Sequence, residues 1–137
     1  MRTIKCLIVF LIFTGVAYAE DAAGKQKIYT ATVDKDGVQR VEIIGDAYYF
    51  NPNYIIVKKD IPVELIARKI SGMVPHSFVI ESPEAGMNIR ESLSTDPKVI
   101  RITPTKAGKY PFFCDKKLLF FPSHRQKGME GIIEVVE

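Results

Sequence analysis

Histidine and cysteine are scarce in this 137-residue chain, two of each, and no long uninterrupted hydrophobic run is present. Each shortage removes a class of reading. The longest apolar run, Cys6 to Phe13, falls short of the roughly 20 residues a membrane-spanning helix requires. Basic and acidic side chains nearly cancel, 19 Lys and Arg against 16 Asp and Glu, so nothing in the overall charge suggests a nucleic-acid binder. No segment holds a convincing helical period, and internal repeats, low-complexity tracts and linkers are missing, which argues against bundles, solenoids and multidomain arrays.

What the N-terminus does contain is a targeting pattern. Arg2 and Lys5 give a basic start, the apolar run follows, and Ala17-Tyr18-Ala19 forms a small-x-small cleavage signal, so residues 1–19 read as a secretory signal peptide. An uncleaved anchor is the rival reading. A lipoprotein is a weak one, because Cys6 lies inside the apolar run. Export implies a periplasmic or extracellular location, and after cleavage no stable membrane insertion is expected. Residues 20–27, "EDAAGKQK", read as a flexible leader, and residues 28–137 as one compact domain, since the remaining length suffices for one core but hardly for two. Loss of the signal segment also removes Cys6. An exported domain is then left with a single thiol, Cys114, in an oxidising compartment and without an intramolecular disulfide partner.

The rest of the chain is a series of short segments rich in β-branched and aromatic residues, separated by turn formers. "KIYTATV" and "VQRVEIIG" flank "DKDG", which predicts a hairpin turn. After them come "NYIIVKK", "IPVELIARK", "HSFVIES", "KVIRITP", "GKYPFFC" and "GIIEVVE". Apolar and polar positions partly alternate in several of these, as expected where one sheet face meets a core and the other meets water. The fold class predicted is all-β, a Greek-key β-sandwich of about seven or eight strands. Two segments depart from the pattern: residues 82–96 are expected to form a loop with at most a turn of helix, and residues 115–123 are apolar but bracketed by Lys116, Lys117 and Pro122.

The soft and imidazole donors beyond the signal segment are His76, Cys114, His124, Met73, Met87 and Met129. His76 opens a predicted strand, Cys114 ends another, and the spacing from there is C-x9-H-x4-M. Two imidazoles, a thiolate and a nearby thioether make up the donor set of an electron-transfer copper site. Taken singly, Cys114 reads as a buried inert thiol and Met129 as a core residue. Zinc is the main rival ion, although its structural sites usually hold four strong ligands and not a thioether. A Cys–His nucleophile would need a third group to orient the imidazole, and none is evident.

"YPFFC…H…GMEGIIEVV" resembles the C-terminal ligand region of the cupredoxins, the blue copper proteins. "PHSFVI" resembles their first histidine motif, and "YYFNPNYIIVKKDIPVEL" is similar to the strand pair before it; the likeness spans roughly residues 38–137. The resemblance implies one mononuclear type 1 copper ion, with His76, Cys114 and His124 as equatorial ligands and Met129 as the axial one. It implies a monomeric one-electron carrier, not an enzyme, with a redox partner such as a c-type cytochrome or an oxidase. A copper-buffering, delivery or tolerance protein is the alternative, favoured by the extra thioethers of Met73 and Met87. Nine residues separate Cys114 from His124, a long loop whose parallel is the type 1 site of copper nitrite reductases. Those enzymes place a second copper's histidine directly before the cysteine; here that residue is Phe113. Ser77 stands where the family often has an Asn tying the ligand loops together. Finally, "KKLLFFPSHR" suggests either an apolar docking patch ringed by Lys116, Lys117, Arg125 and Lys127 or an inward-packed segment.

Overall fold

The computed structural model describes residues 25–70 and 72–137. The expected signal segment, residues 1–19, and most of the expected leader lie outside the described residues. Lys27, at the end of the leader, is held by its neighbours: its N–H donates to the Asn53 side chain at 2.7 Å, and its carbonyl accepts from the N–H groups of Asn53 and Tyr54.

Ten strands make up the described chain: β1 (Ile28–Thr30), β2 (Gln39–Asp46), β3 (Tyr49–Asn51), β4 (Tyr54–Lys58), β5 (Val63–Lys69), β6 (His76–Ser82), β7 (Met87–Leu93), β8 (Lys98–Ile102), β9 (Gly108–Phe113) and β10 (Glu130–Val136). They form two sheets, one ordered β1-β4-β10-β9-β6-β7 and the other β3-β2-β5-β8. The architecture is the expected all-β sandwich, with more strands than seven or eight. Part of the excess comes from residues 82–96, where the expected loop is a 3-10 turn at Pro83–Ala85 followed by β7. This segment is polar because β7 is an edge strand: Met87 and Leu93 are buried at its ends while most residues between them face outward. The "DKDG" turn closes as predicted, through Asp34 N–H to Val38 C=O and Gly37 N–H to Asp34 C=O, both at 2.9 Å. The hairpin itself is reduced to one bridge, Val33 to Gln39, because β1 and β2 then diverge into different sheets.

The alternation read in the sequence puts one face of each strand into the core. Val63, Leu65 and Ala67 of β5 and Ile55 and Val57 of β4 are all buried, with polar or half-buried residues between them. Phe50, Phe78 and Phe112 meet in the interior, ring centroids 4.9 to 5.8 Å apart, in tilted and edge-to-face contacts favoured by aromatic quadrupoles. Burial of such side chains contributes about 1.5–3 kcal/mol each. No helix among the described residues is long and apolar enough to cross a membrane.

Strand direction decides what lies at the end of the larger sheet. β9 runs antiparallel to both of its neighbours, β10 and β6. The start of β6, the end of β9 and the start of β10 therefore share one edge, which brings His76, the residue after Phe113 and the residue before Glu130 together.

Candidate metal centre

His76, Cys114 and His124 converge at that edge. All three are buried, and one donor atom from each lies within 4.8 Å of the others. The Cys114 Sγ is 3.5 Å from His124 Nδ1, and the two imidazole rings stand 5.1 Å apart, tilted by 58°.

Each donor is fixed by a different local cause. His76 is the first residue of β6, so pairing with β7 sets its position. Cys114 directly follows β9, and its N–H donates to the Met129 carbonyl at 3.0 Å, extending the β9–β10 ladder by one residue. His124 lies on the return loop, where its N–H donates to the Lys116 carbonyl and its carbonyl accepts from Met129 N–H, both at 2.9 Å. The long spacing between Cys114 and His124 is thus taken up by a loop closed by backbone hydrogen bonds. Gly128 turns the chain with a φ of +98°, and Gly131 lies so close to Phe112 and the Asn53 carbonyl that no side chain fits there.

Met129 is fully buried between these anchors, and its methyl end packs toward Gly45 of β2. Met87 does not join the site: it is a core residue on β7. Met73 is 99% exposed, on the rim of a groove of about 450 Å³ that has His124, Tyr48, Leu118 and Phe121 among its walls. Leu118 to Phe121 do not pack inward either; all four are exposed.

The position occupied by Ser77 keeps the loop-tying role. Its backbone N–H points to Cys114 Sγ at 3.3 Å, and its hydroxyl accepts from Asp115 N–H at 3.0 Å while donating to the Asp115 carboxylate. Arg90 on β7 grips the same carboxylate and also pairs with Glu81 on β6. Sequence reasoning missed Asp115 and Arg90, since nothing local distinguishes them from surface charges. It also missed Tyr48, from the β2–β3 turn, whose ring meets His124 edge-on at 5.1 Å beneath the Lys127 ammonium.

The electrostatics favour neutral imidazoles. Burial lowers the His76 pKa below the ordinary 6.5, His124 and Lys69 push the same way, and Asp46 opposes them. Burial, then Lys127, lowers His124. A neutral imidazole has a free lone pair. His76 Nδ1 is buried and has no hydrogen-bond partner among the described residues, which is costly for a polar atom unless it binds something. The donors fit a copper ion: two neutral nitrogens and one thiol, gathered in an apolar edge of the sandwich.

Comparison with known proteins agrees with this geometry. The family model described as "Cupredoxin-like domain" matches residues 6–129. No curated protein sequence gives a significant match. Among solved structures, the metal binding domain of the Cu(I) exporting P-type ATPase CopA of Streptococcus pneumoniae D39, in its form with Cu(I), superposes with a TM-score of 0.63. The two are 25% identical, over 83% of this chain and 100% of that one. Dithionite-reduced auracyanin from Roseiflexus castenholzii has a TM-score of 0.57 at 21% identity, over 72% of this chain and 97% of that one. Auracyanin A, a "blue" copper protein from Chloroflexus aurantiacus, reaches 0.54 at 16% identity, over 73% and 100%; at these identities the two auracyanins show the fold alone. With the family model matching nearly its whole length and a buried His–Cys–His cluster at one edge of its sandwich, this chain belongs to the cupredoxin-like family.

Proposed function

We propose that this protein is an exported one-electron carrier that holds a single copper ion through His76, Cys114 and His124, with Met129 as a weaker fourth ligand. The observation that carries this reading is the buried His76 Nδ1, unpartnered among the described residues, beside a thiol and a second imidazole. Bound copper would supply the one-electron step by alternating between Cu(I) and Cu(II). The chain's own contribution is to hold its donors still, so that little rearrangement accompanies a change of oxidation state. The β6 start, the Cys114–Met129 backbone bond and the Ser77–Asp115 tie serve that end. Phe112 and Phe113, both buried, support the reading by limiting water near the thiolate.

Catalysis is not part of the proposal. A second metal of the nitrite-reductase kind would need further histidines, whereas Phe113 precedes the cysteine and the sequence holds two histidines in all. The expected setting is the periplasm or the extracellular space, with the protein acting as a monomer and a c-type cytochrome or an oxidase as partner.

A second reading, copper buffering or delivery, is favoured by two observations. The CopA domain similar to this chain is described with Cu(I), and Met73 presents an exposed thioether on the rim of the groove beside His124. Voltammetry on the copper-loaded protein, followed by challenge with a Cu(I) chelator of moderate strength, separates the two. A carrier cycles reversibly and keeps its metal; rapid surrender of Cu(I) with no stable redox couple would replace the first reading with the second.

A further inference from the structure

The loop between β9 and β10 carries a feature that copper binding does not account for. From Lys116 to Lys127 the sequence is "KKLLFFPSHRQK", four cationic side chains and no acid. At its tip Leu118 is 64% exposed, Leu119 75% and Phe120 85%, with Phe121 beside them. Shielding of the metal centre does not explain all of this: Leu118 and Phe121 border the groove beside His124, but Leu119 and Phe120, the most exposed of the four, do not.

The tip is shaped to project. Phe121 N–H donates to the Leu118 carbonyl at 3.0 Å, closing a tight turn, and Leu119 within it sits at a φ of +47°, a conformation leucine adopts only when its surroundings enforce it. The Phe120 and Phe121 rings stack at 5.0 Å. Behind them, Lys116, Lys117 and Lys127 have no carboxylate partner among the described residues, and Lys127 lies over the Tyr48 ring. Arg125 is partly neutralised by Glu130.

We propose that this loop is a membrane-docking wedge: its leucines and phenylalanines enter the interfacial layer of an anionic bilayer while Lys116, Lys117 and Lys127 meet the lipid phosphates. A convex apolar tip with a collar of uncompensated cations matches that environment in both polarity and charge. A protein partner would instead have to offer an apolar cup rimmed by acids shaped to this turn. Docking through the wedge turns the groove at Leu118, Phe121 and His124 toward the membrane surface, within reach of a partner embedded there. The proposal stands whichever function the metal centre serves.

The sequence contains no tryptophan, so Phe120→Trp in the full chain gives a fluorophore that reports on the wedge alone, whatever the N-terminal segment does. Val99→Trp, an exposed position on β8, serves as the control. With vesicles of phosphatidylcholine and phosphatidylglycerol, emission from the Phe120→Trp protein should move to shorter wavelength and be quenched by lipids brominated in their acyl chains, while the control stays unchanged. Adding Lys116→Gln and Lys117→Gln should weaken this partitioning about thirty-fold, given the roughly five-fold each lysine contributes near an anionic surface. Emission that ignores anionic vesicles would overturn the proposal and leave the loop to a protein partner. A shift equally strong on pure phosphatidylcholine, unaffected by loss of the lysines, would overturn the electrostatic half of it and with it the anionic target.

Discussion

The backbone N–H of Ser77 points at the Sγ of Cys114 across 3.3 Å, joining the first strand turn after one histidine donor to the cysteine donor that follows β9. The Ser77 hydroxyl reinforces this link by accepting from Asp115 N–H and donating to the Asp115 carboxylate, which Arg90 holds from the other side. A short side chain and a neighbouring acid together perform the tie for which the family often uses a longer amide.

Ser77→Ala should therefore leave the N–H contact to sulfur intact but remove both the acceptor for Asp115 N–H and the donor to the Asp115 carboxylate. At about 0.5–1.5 kcal/mol for each such bond, the loss is about 1–3 kcal/mol. Chemical denaturation of the copper-free protein measures the cost, and the copper-loaded protein should show an altered reduction potential. A variant matching the parent in both respects would contradict the tying role.

Gly131→Ala should be among the more damaging single changes. A β-carbon there would stand 2.5 Å from the Asn53 carbonyl and press on the Phe112 ring, and neither backbone nor a fully buried aromatic can yield cheaply. Overpacking of this kind costs about 1–3 kcal/mol. The expected result is a lower denaturation midpoint with an unchanged slope.

The copper-free protein should weaken in mild acid. Both histidines have folded-state pKa values below the unfolded 6.5, mainly through burial, so the unfolded chain takes up protons first as pH falls. Stability is then full above about pH 6.5, declines as pH drops from there toward the folded-state values, and levels off below them. Urea denaturation across that range checks the sign. Proton NMR of the imidazoles should place both midpoints below 6.5.

Much of this was legible in the sequence. Strand alternation in β4, β5 and β8 reveals which face of each is buried, and the chemical rarity of His76, Cys114 and His124 singles them out before any geometry is known. β7 was hidden because an edge strand with one solvated face has the composition of a loop. The single-bridge hairpin at "DKDG" could not be anticipated, since the turn residues dictate the bend but not the sheet each strand then joins. Tyr48, Arg90 and Asp115 act on the centre only through tertiary packing, and no local pattern distinguishes them from ordinary surface residues. For Leu118 to Phe121 the sequence suggests either an exposed patch or inward packing, and composition cannot separate them; the structure shows the exposed arrangement.

The account rests on His76, Cys114 and His124 binding one copper ion, and the visible absorption spectrum of the protein after addition of Cu(II) tests this most directly. The parent should develop an intense thiolate-to-copper charge-transfer band at one equivalent of metal, and Cys114→Ser, still folded, should show none. A folded parent that takes up no copper, or takes it up without that band, would contradict the assignment.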